Sequence, residues 1–116
     1  MNKDIRSLEL EVNLLHERIC SALSDTKRIM ILYLLAENDM FVNEISEALN
    51  TPQPTISRHL GVLRQRKMVS TERRGTAVLY SLLDNRIIDV LDMMRAILND
   101  QIQAESAITK PIPESS

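Results

Sequence analysis

Cysteine occurs once in the 116 residues, glycine twice, proline four times and tryptophan never. A single thiol, Cys20, makes no intrachain disulfide and closes no thiolate zinc cluster, which fits a reducing compartment. With aromatics at 3%, the core must be aliphatic, and that suits helix-on-helix packing better than a sheet sandwich. So little glycine and proline excludes collagen-like and low-complexity chains. No apolar run approaches the roughly 18 residues of a membrane span. The first residues, Met1 to Ile5, mix charge into the turn and lack an apolar signal core, so a cytoplasmic location is expected. There is no glycine-rich phosphate loop and no poised pair of carboxylates. Ser57 and His59 stand two apart and on a helix would point about 200° from each other, so they are no nucleophile–base pair. Neither an enzyme nor a cofactor is expected.

What is present is an uneven distribution of charge. Between Thr51 and Tyr80 lie Arg58, Arg64, Arg66, Lys67, Arg73 and Arg74, opposed by Glu72 alone, a local +5 in a chain whose formal net charge is −2. A basic surface concentrates polyanions whatever the total charge, although a solvated basic face without a partner reads the same way on charge alone. The length fits one small domain, expected over residues 1–103, followed by a flexible tail over 104–116 that has two prolines, three serines and no periodicity.

Hydrophobic spacing sets out the elements. Ile5, Leu8, Val12, Leu15, Ile19 and Ala22 recur at intervals of three and four, predicting one helix over 5–23 with a coiled-coil type of seam. Such a stripe points to packing against another long helix, including one from a second subunit. Ser24 or Asp25 can cap a second helix that runs to about Glu37, its apolar residues on more than one face, ended by Asn38-Asp39. A short helix is expected over Val42–Leu49. After a turn at Asn50-Thr51 comes a longer helix, with Thr51 as N-cap and Pro52 in its first position, running to about Lys67 with Ile56, Leu60 and Leu63 inward. Strands Val69–Arg74 and Ala77–Leu82 flank Gly75-Thr76, a tight hairpin turn. Asp84 can cap a final helix, about Asn85 to Gln103, whose apolar set is too broad for a single contact face.

This is a mainly α chain with a small β-hairpin (α+β), in the order ααααββα. Two helices joined by a tight turn and followed by a hairpin are the layout of a winged helix-turn-helix. The outward face of the 52–67 helix would carry Pro54, Thr55, Ser57, Arg58, Gly61, Val62 and Gln65, and no acid occurs from Thr51 to Thr71. Small residues let a helix sit deep in a major groove, and Ser, Thr, Gln and Arg can read base edges. Gly61 within a helix costs roughly 1 kcal/mol against Ala. Close approach of the backbone to DNA is one reason to keep it, and helix–helix packing is another. Arg64, Arg66 and Lys67 at the helix end, and Arg73 and Arg74 beside the hairpin tip, are placed to meet phosphates.

The segment Thr51-Pro52-Gln53-Pro54-Thr55-Ile56-Ser57-Arg58-His59-Leu60 resembles, nearly residue for residue, the recognition-helix segment of the ArsR/SmtB family of bacterial winged-helix repressors. Residues 22–32 resemble the family's second-helix signature, and Arg74-Gly75 with Leu79-Tyr80-Ser81-Leu82 resembles its wing, so the likeness spans about residues 15–98. It implies a homodimer joined through the first and last helices, here Leu8, Val12, Leu15, Ile19, Leu91, Met94, Ile97 and Leu98. It also implies repression at a palindromic double-stranded operator and release by an inducer. The DNA-reading residues it implies are Gln53, Thr55, Ser57, Arg58 and His59, although His59, on the flank of the helix, reads on its own residues as a phosphate or packing contact rather than a base contact. Thr76 stands where the family often has a basic residue after the wing glycine, which puts weight on Arg73 and Arg74.

The chain departs from the family's metal sites. Phe41-Val42-Asn43-Glu44-Ile45 occupies the place of a Cys-Val-Cys-Asp-Leu segment, and Asp84, Arg86, Ile97 and Asp100 occupy that of the imidazole-rich site on the last helix. Zinc prefers nitrogen and sulfur ligands, so no metal is expected at either. The inducer stays unidentified. Met30, Met93 and Met94 are candidates to line an adaptable pocket for a small organic molecule, or are core methionines. Cys20 is either a small apolar residue of the first helix or a thiol switch. His16 is expected to be partly exposed. A rival reading of the whole chain is a protein-interaction module with a vestigial DNA face, against which the intact Gln53–His59 segment argues.

Overall fold

The computed structural model describes residues 4–109 and divides the chain into two compact units, Met1–Asp84 and Asn85–Ser116. In the first unit, α1 spans Ile5–Leu15, and Asp4 caps it by accepting from the Ser7 amide at 2.8 Å. The expected uninterrupted helix to residue 23 instead changes pitch twice. It widens to a π turn over His16–Cys20 and tightens to a 3-10 turn over Ser21–Ser24. Serine hydroxyls compete for the main-chain carbonyls here: Ser21 donates to Glu17, and Ser24 donates to Ser21 at 2.8 Å. Asp25, with extended backbone, ends the rod and caps α2 (Thr26–Glu37) through the Lys27 amide at 2.8 Å. Ile31, Leu32 and Leu35 of α2 are buried, as its two-sided apolar pattern requires, and Asn38 turns extended and stops it.

A two-residue strand, β1 (Met40–Phe41), follows and was not anticipated. It pairs antiparallel with the second hairpin strand, Met40 with Tyr80 and Phe41 with Leu79. The Phe41 amide is satisfied by the Glu44 carboxylate at 2.8 Å, at the start of α3 (Val42–Ala48). Helix α3 ends in a left-handed residue, Asn50 (φ 49°), with the Thr51 amide donating to the Ser46 carbonyl at 3.0 Å and the Asn50 amide to that of Glu47 at 3.2 Å. This is a Schellman closure, and it corrects the expected role of Thr51. Thr51 is buried, its hydroxyl donating back to the Leu49 carbonyl at 2.9 Å, so it finishes α3 rather than capping the next helix. The Pro52 carbonyl takes the first bonds of α4 (Gln53–Gln65).

Helix α4 stops two residues before the expected Lys67. Lys67 is itself left-handed (φ 64°), and the Met68 amide donates to the Leu63 carbonyl at 2.9 Å, a second Schellman closure. Strands β2 (Val69–Arg74) and β3 (Ala77–Leu82) have the predicted bounds, and Gly75 (φ 63°) supplies the positive φ at the first turn position. The sheet order is β1-β3-β2. The core of this unit gathers Ala22, Ile31, Leu32, Leu35, Ile45, Ile56, Leu60, Leu63, Met68, Val69 and Leu79. The fold is a winged helix-turn-helix, with β2 and β3 as the wing.

The second unit is a single helix, α5 (Arg86–Thr109). It runs six residues past the end expected at Gln103, because residues 104–109 contain no glycine or proline to stop it. Of the expected tail, 104–109 is thus helical, and 110–116 lie outside the described residues. No described helix is long and apolar enough to cross a membrane.

Candidate nucleic-acid interface

Helix α4 divides sharply by face. Ile56, Leu60 and Leu63 are fully buried, while Gln53, Pro54, Ser57, Arg58, Gly61, Arg64 and Gln65 are exposed. At 100° per residue these exposed positions make one stripe along the helix. It holds two arginines, two glutamines, a serine, a glycine and a proline, and no acid. Thr55, expected to face outward, is half-buried at its edge, as is Val62. A Cβ built on Gly61 would meet no atom within 4 Å. Packing against a neighbouring helix of this chain therefore does not explain the glycine, and close approach from outside is the reading left.

His59 corrects the sequence-based assignment. It is not on the reading face: only 8% of its surface is exposed, and its ring lies against the start of α2. Its Nδ1 lies 3.1 Å from Nη1 of Arg28, and its Nε2 is 3.9 Å from the Asp25 carboxylate. Burial pushes its pKa below the usual histidine value. Asp25 opposes the shift, while Arg28, Arg58 and Lys27 reinforce it. A neutral ring accepts at Nδ1 from the guanidinium and keeps its proton on Nε2, toward Asp25.

The cations at the ends of the stripe differ in what holds them. Arg64 and Lys67 are exposed. Arg66 turns the other way and donates to the Glu17 carbonyl, tying the end of α4 to the first rod rather than offering its charge to a phosphate. On the wing, Arg73 and Arg74 are both exposed. Arg73 reaches the Gly75 carbonyl at 3.5 Å, and Arg74 pairs with Glu72 at 3.0 Å. The Glu72 hydrogen bond holds the Arg74 guanidinium in its charged form, yet both partners are well exposed, so the pair is weak and open to exchange. Gln53 and Ser57 of α4 face Thr76, Val78 and Tyr80 of the wing across a cleft of about 340 Å³.

The seam on α1 and the π turn that follows it is bare. Leu8, Val12, Leu15 and Ile19 are all exposed, together with Ile5, Leu10 and Leu14. On α5, Met94, Ile97 and Leu98 are exposed, as are Val90, Met93 and Ile102, whereas Leu91 is buried. Met30, Met93 and Met94 are exposed in the single chain. Cys20 and His16 are exposed. Among the described residues, no three His, Cys, Asp or Glu side chains gather as a metal site would require.

Arg28 was missed as a site residue. The available signal was a pair of cations, Lys27 and Arg28, in the first turn of a largely apolar helix, but the partner of Arg28 lies 31 positions away.

A profile of the bacterial regulatory proteins of the arsR family matches residues 25–71. The chain is 40% identical over 77 residues to an uncharacterized HTH-type transcriptional regulator of Methanocaldococcus jannaschii, covering 66% of this chain and 86% of that one. It is 36% identical over 81 residues to the transcriptional repressor SdpR of Bacillus subtilis, covering 70% and 90%. The crystal structure of NolR from Sinorhizobium fredii superposes with a TM-score of 0.72 at 26% identity, covering 84% of this chain and 96% of that one.

Proposed function

The chain belongs to the arsR family of bacterial regulatory proteins, and from that premise we propose that it is a cytoplasmic, homodimeric repressor that holds a palindromic operator and leaves it on binding an inducer. The observation that carries this reading is the outward stripe of α4, free of acids, slim at Gly61 and flanked by exposed cations on the helix end and the wing. Gln53, Ser57 and Arg58, with Thr55 at the edge, are assigned to base edges in a major groove. Arg58 is the most discriminating of them, through guanine O6 and N7. Arg64, Lys67, Arg73 and Arg74 are assigned to phosphates, which orient the protein without reading sequence. The exposed apolar rows of α1 and α5 supply the surface for a second copy. A two-fold dimer would place its reading helices about 34 Å apart, one turn of duplex.

The inducer of this reading is not a metal at the usual family positions, where Asn43, Arg86 and Ile97 supply no suitable ligand. The test is a binding titration over a range of salt. If each protomer neutralises three to five phosphates, the log–log slope should be roughly −5 to −9. A slope near zero would contradict the proposal.

A further inference from the structure

Arg28 stands where three segments meet. Its Nε donates to the Ala22 carbonyl at 2.8 Å, and its Nη2 reaches the Ser21 carbonyl at 3.4 Å and the Ser24 hydroxyl at 3.5 Å. Its Nη1 donates to His59 Nδ1 at 3.1 Å. Residues 21–24 close the rod that carries the apolar seam, and His59 lies at the middle of α4, directly after Arg58 on the outward face. One planar guanidinium thus joins the end of the first rod, the start of α2 and the inner side of the reading helix. Its fixed fork of donors suits that task, whereas a lysine ammonium would be a single flexible point.

We propose that Arg28 and His59 form a positioning strut that sets the rotation of α4 against the end of the first rod, so that discrimination between DNA sequences depends on it more than affinity for duplexes in general. The inference rests on the DNA-binding reading above. A bidentate contact to a base edge tolerates little displacement, whereas flexible cations follow a phosphate through a small rotation. Loss of the strut should therefore erode selection first.

The strut also has a protonation state. Nδ1 can accept from Arg28 only while the ring is neutral, and a proton there sets two donors against each other. The charged groups facing the ring are Asp25, Lys27 and Arg28 from the start of α2 and Arg58 from its own helix, and residues 21–24 bring none. Burial lowers the ring's pKa, so the strut is intact at neutral pH and opens on acidification below the ordinary histidine value.

The test compares affinity for the duplex that the unmodified chain enriches from a random-sequence pool with affinity for a mixed-sequence duplex. His59→Leu and Arg28→Lys should each lower that ratio by about tenfold, the size of one lost hydrogen bond to a charged group, while the salt slope on mixed DNA stays unchanged. His59→Gln offers an amide oxygen to Arg28 and does not titrate. It should restore most of the ratio at neutral pH and abolish the fall in ratio that the unmodified chain shows on acidification below the ordinary histidine value. An unchanged ratio in His59→Leu, or a His59→Gln profile that follows the unmodified chain, would overturn the strut. Should His59→Leu fail to fold by circular dichroism, the His59→Gln profile decides alone. Failure of the unmodified chain to enrich any duplex would instead overturn the underlying DNA-binding reading, and the strut's role with it.

Discussion

Helices α1 and α4 are of similar length, 11 and 13 residues, and treat water in opposite ways. Helix α4 hides Ile56, Leu60 and Leu63 and shows glutamine, serine, glycine and arginine. Helix α1 buries nothing and shows leucine, isoleucine and valine at regular helical spacing. An exposed polar face without acids is stable in water, so its composition must answer to something other than folding. An exposed apolar row of this size is unfavourable in water and asks for cover. The contrast teaches that the two surfaces fit partners of different nature, a polyanion for α4 and another apolar helix for α1.

The largest effect that could break this contrast is on assembly. Leu15→Asp puts a charge in the bare row and should weaken self-association roughly a hundredfold, about 3 kcal/mol, read by sedimentation equilibrium. If the chain sediments as before, α1 does not serve a second copy. On the other surface, Arg58→Ala should reduce preference at one base pair by about 1–3 kcal/mol, whereas Arg74→Ala should weaken all duplexes alike and reduce the salt slope by about 1. Equal losses on selected and mixed DNA for both variants would show that the division between reading and gripping residues is wrong.

The smallest effect is the sharpest in sign. Gly61→Ala should raise thermal stability by about 0.5–1 kcal/mol, because the added Cβ meets nothing and the helix loses its glycine. The same variant should weaken DNA binding, since the methyl group projects from the reading face. A variant more stable and equally tight would leave the glycine without a role.

Much of this was legible from the chain alone, for identifiable reasons. Val69–Arg74 and Ala77–Leu82 announce themselves as strands through β-branched residues either side of Gly75, and the stripe of α4 follows from Ile56, Leu60 and Leu63. Strand β1 was hidden because two residues have no periodicity, and Met40 and Phe41 become a strand only by pairing with Tyr80 and Leu79. His59, implied as a DNA-reading residue by the family resemblance, sits at the border of the inward face, where helical geometry leaves both a phosphate and a packing contact open. Arg28, distant in sequence, decides it. Thr51 has the chemistry of an N-cap, but the left-handed Asn50 turns it back to finish α3. Arg66 looked like its basic neighbours until Glu17, 49 residues earlier, claimed it.

The outward side of α4 is proposed to meet DNA while the row on α1 does not. Amide chemical shifts recorded while a duplex is titrated into the protein test it most directly. Large changes are expected at Gln53, Ser57, Arg58, Gly61 and Arg64 and at residues 73–76 of the wing, with Leu8, Val12 and Leu15 unmoved. Changes gathered on α1 with a silent α4 would contradict it.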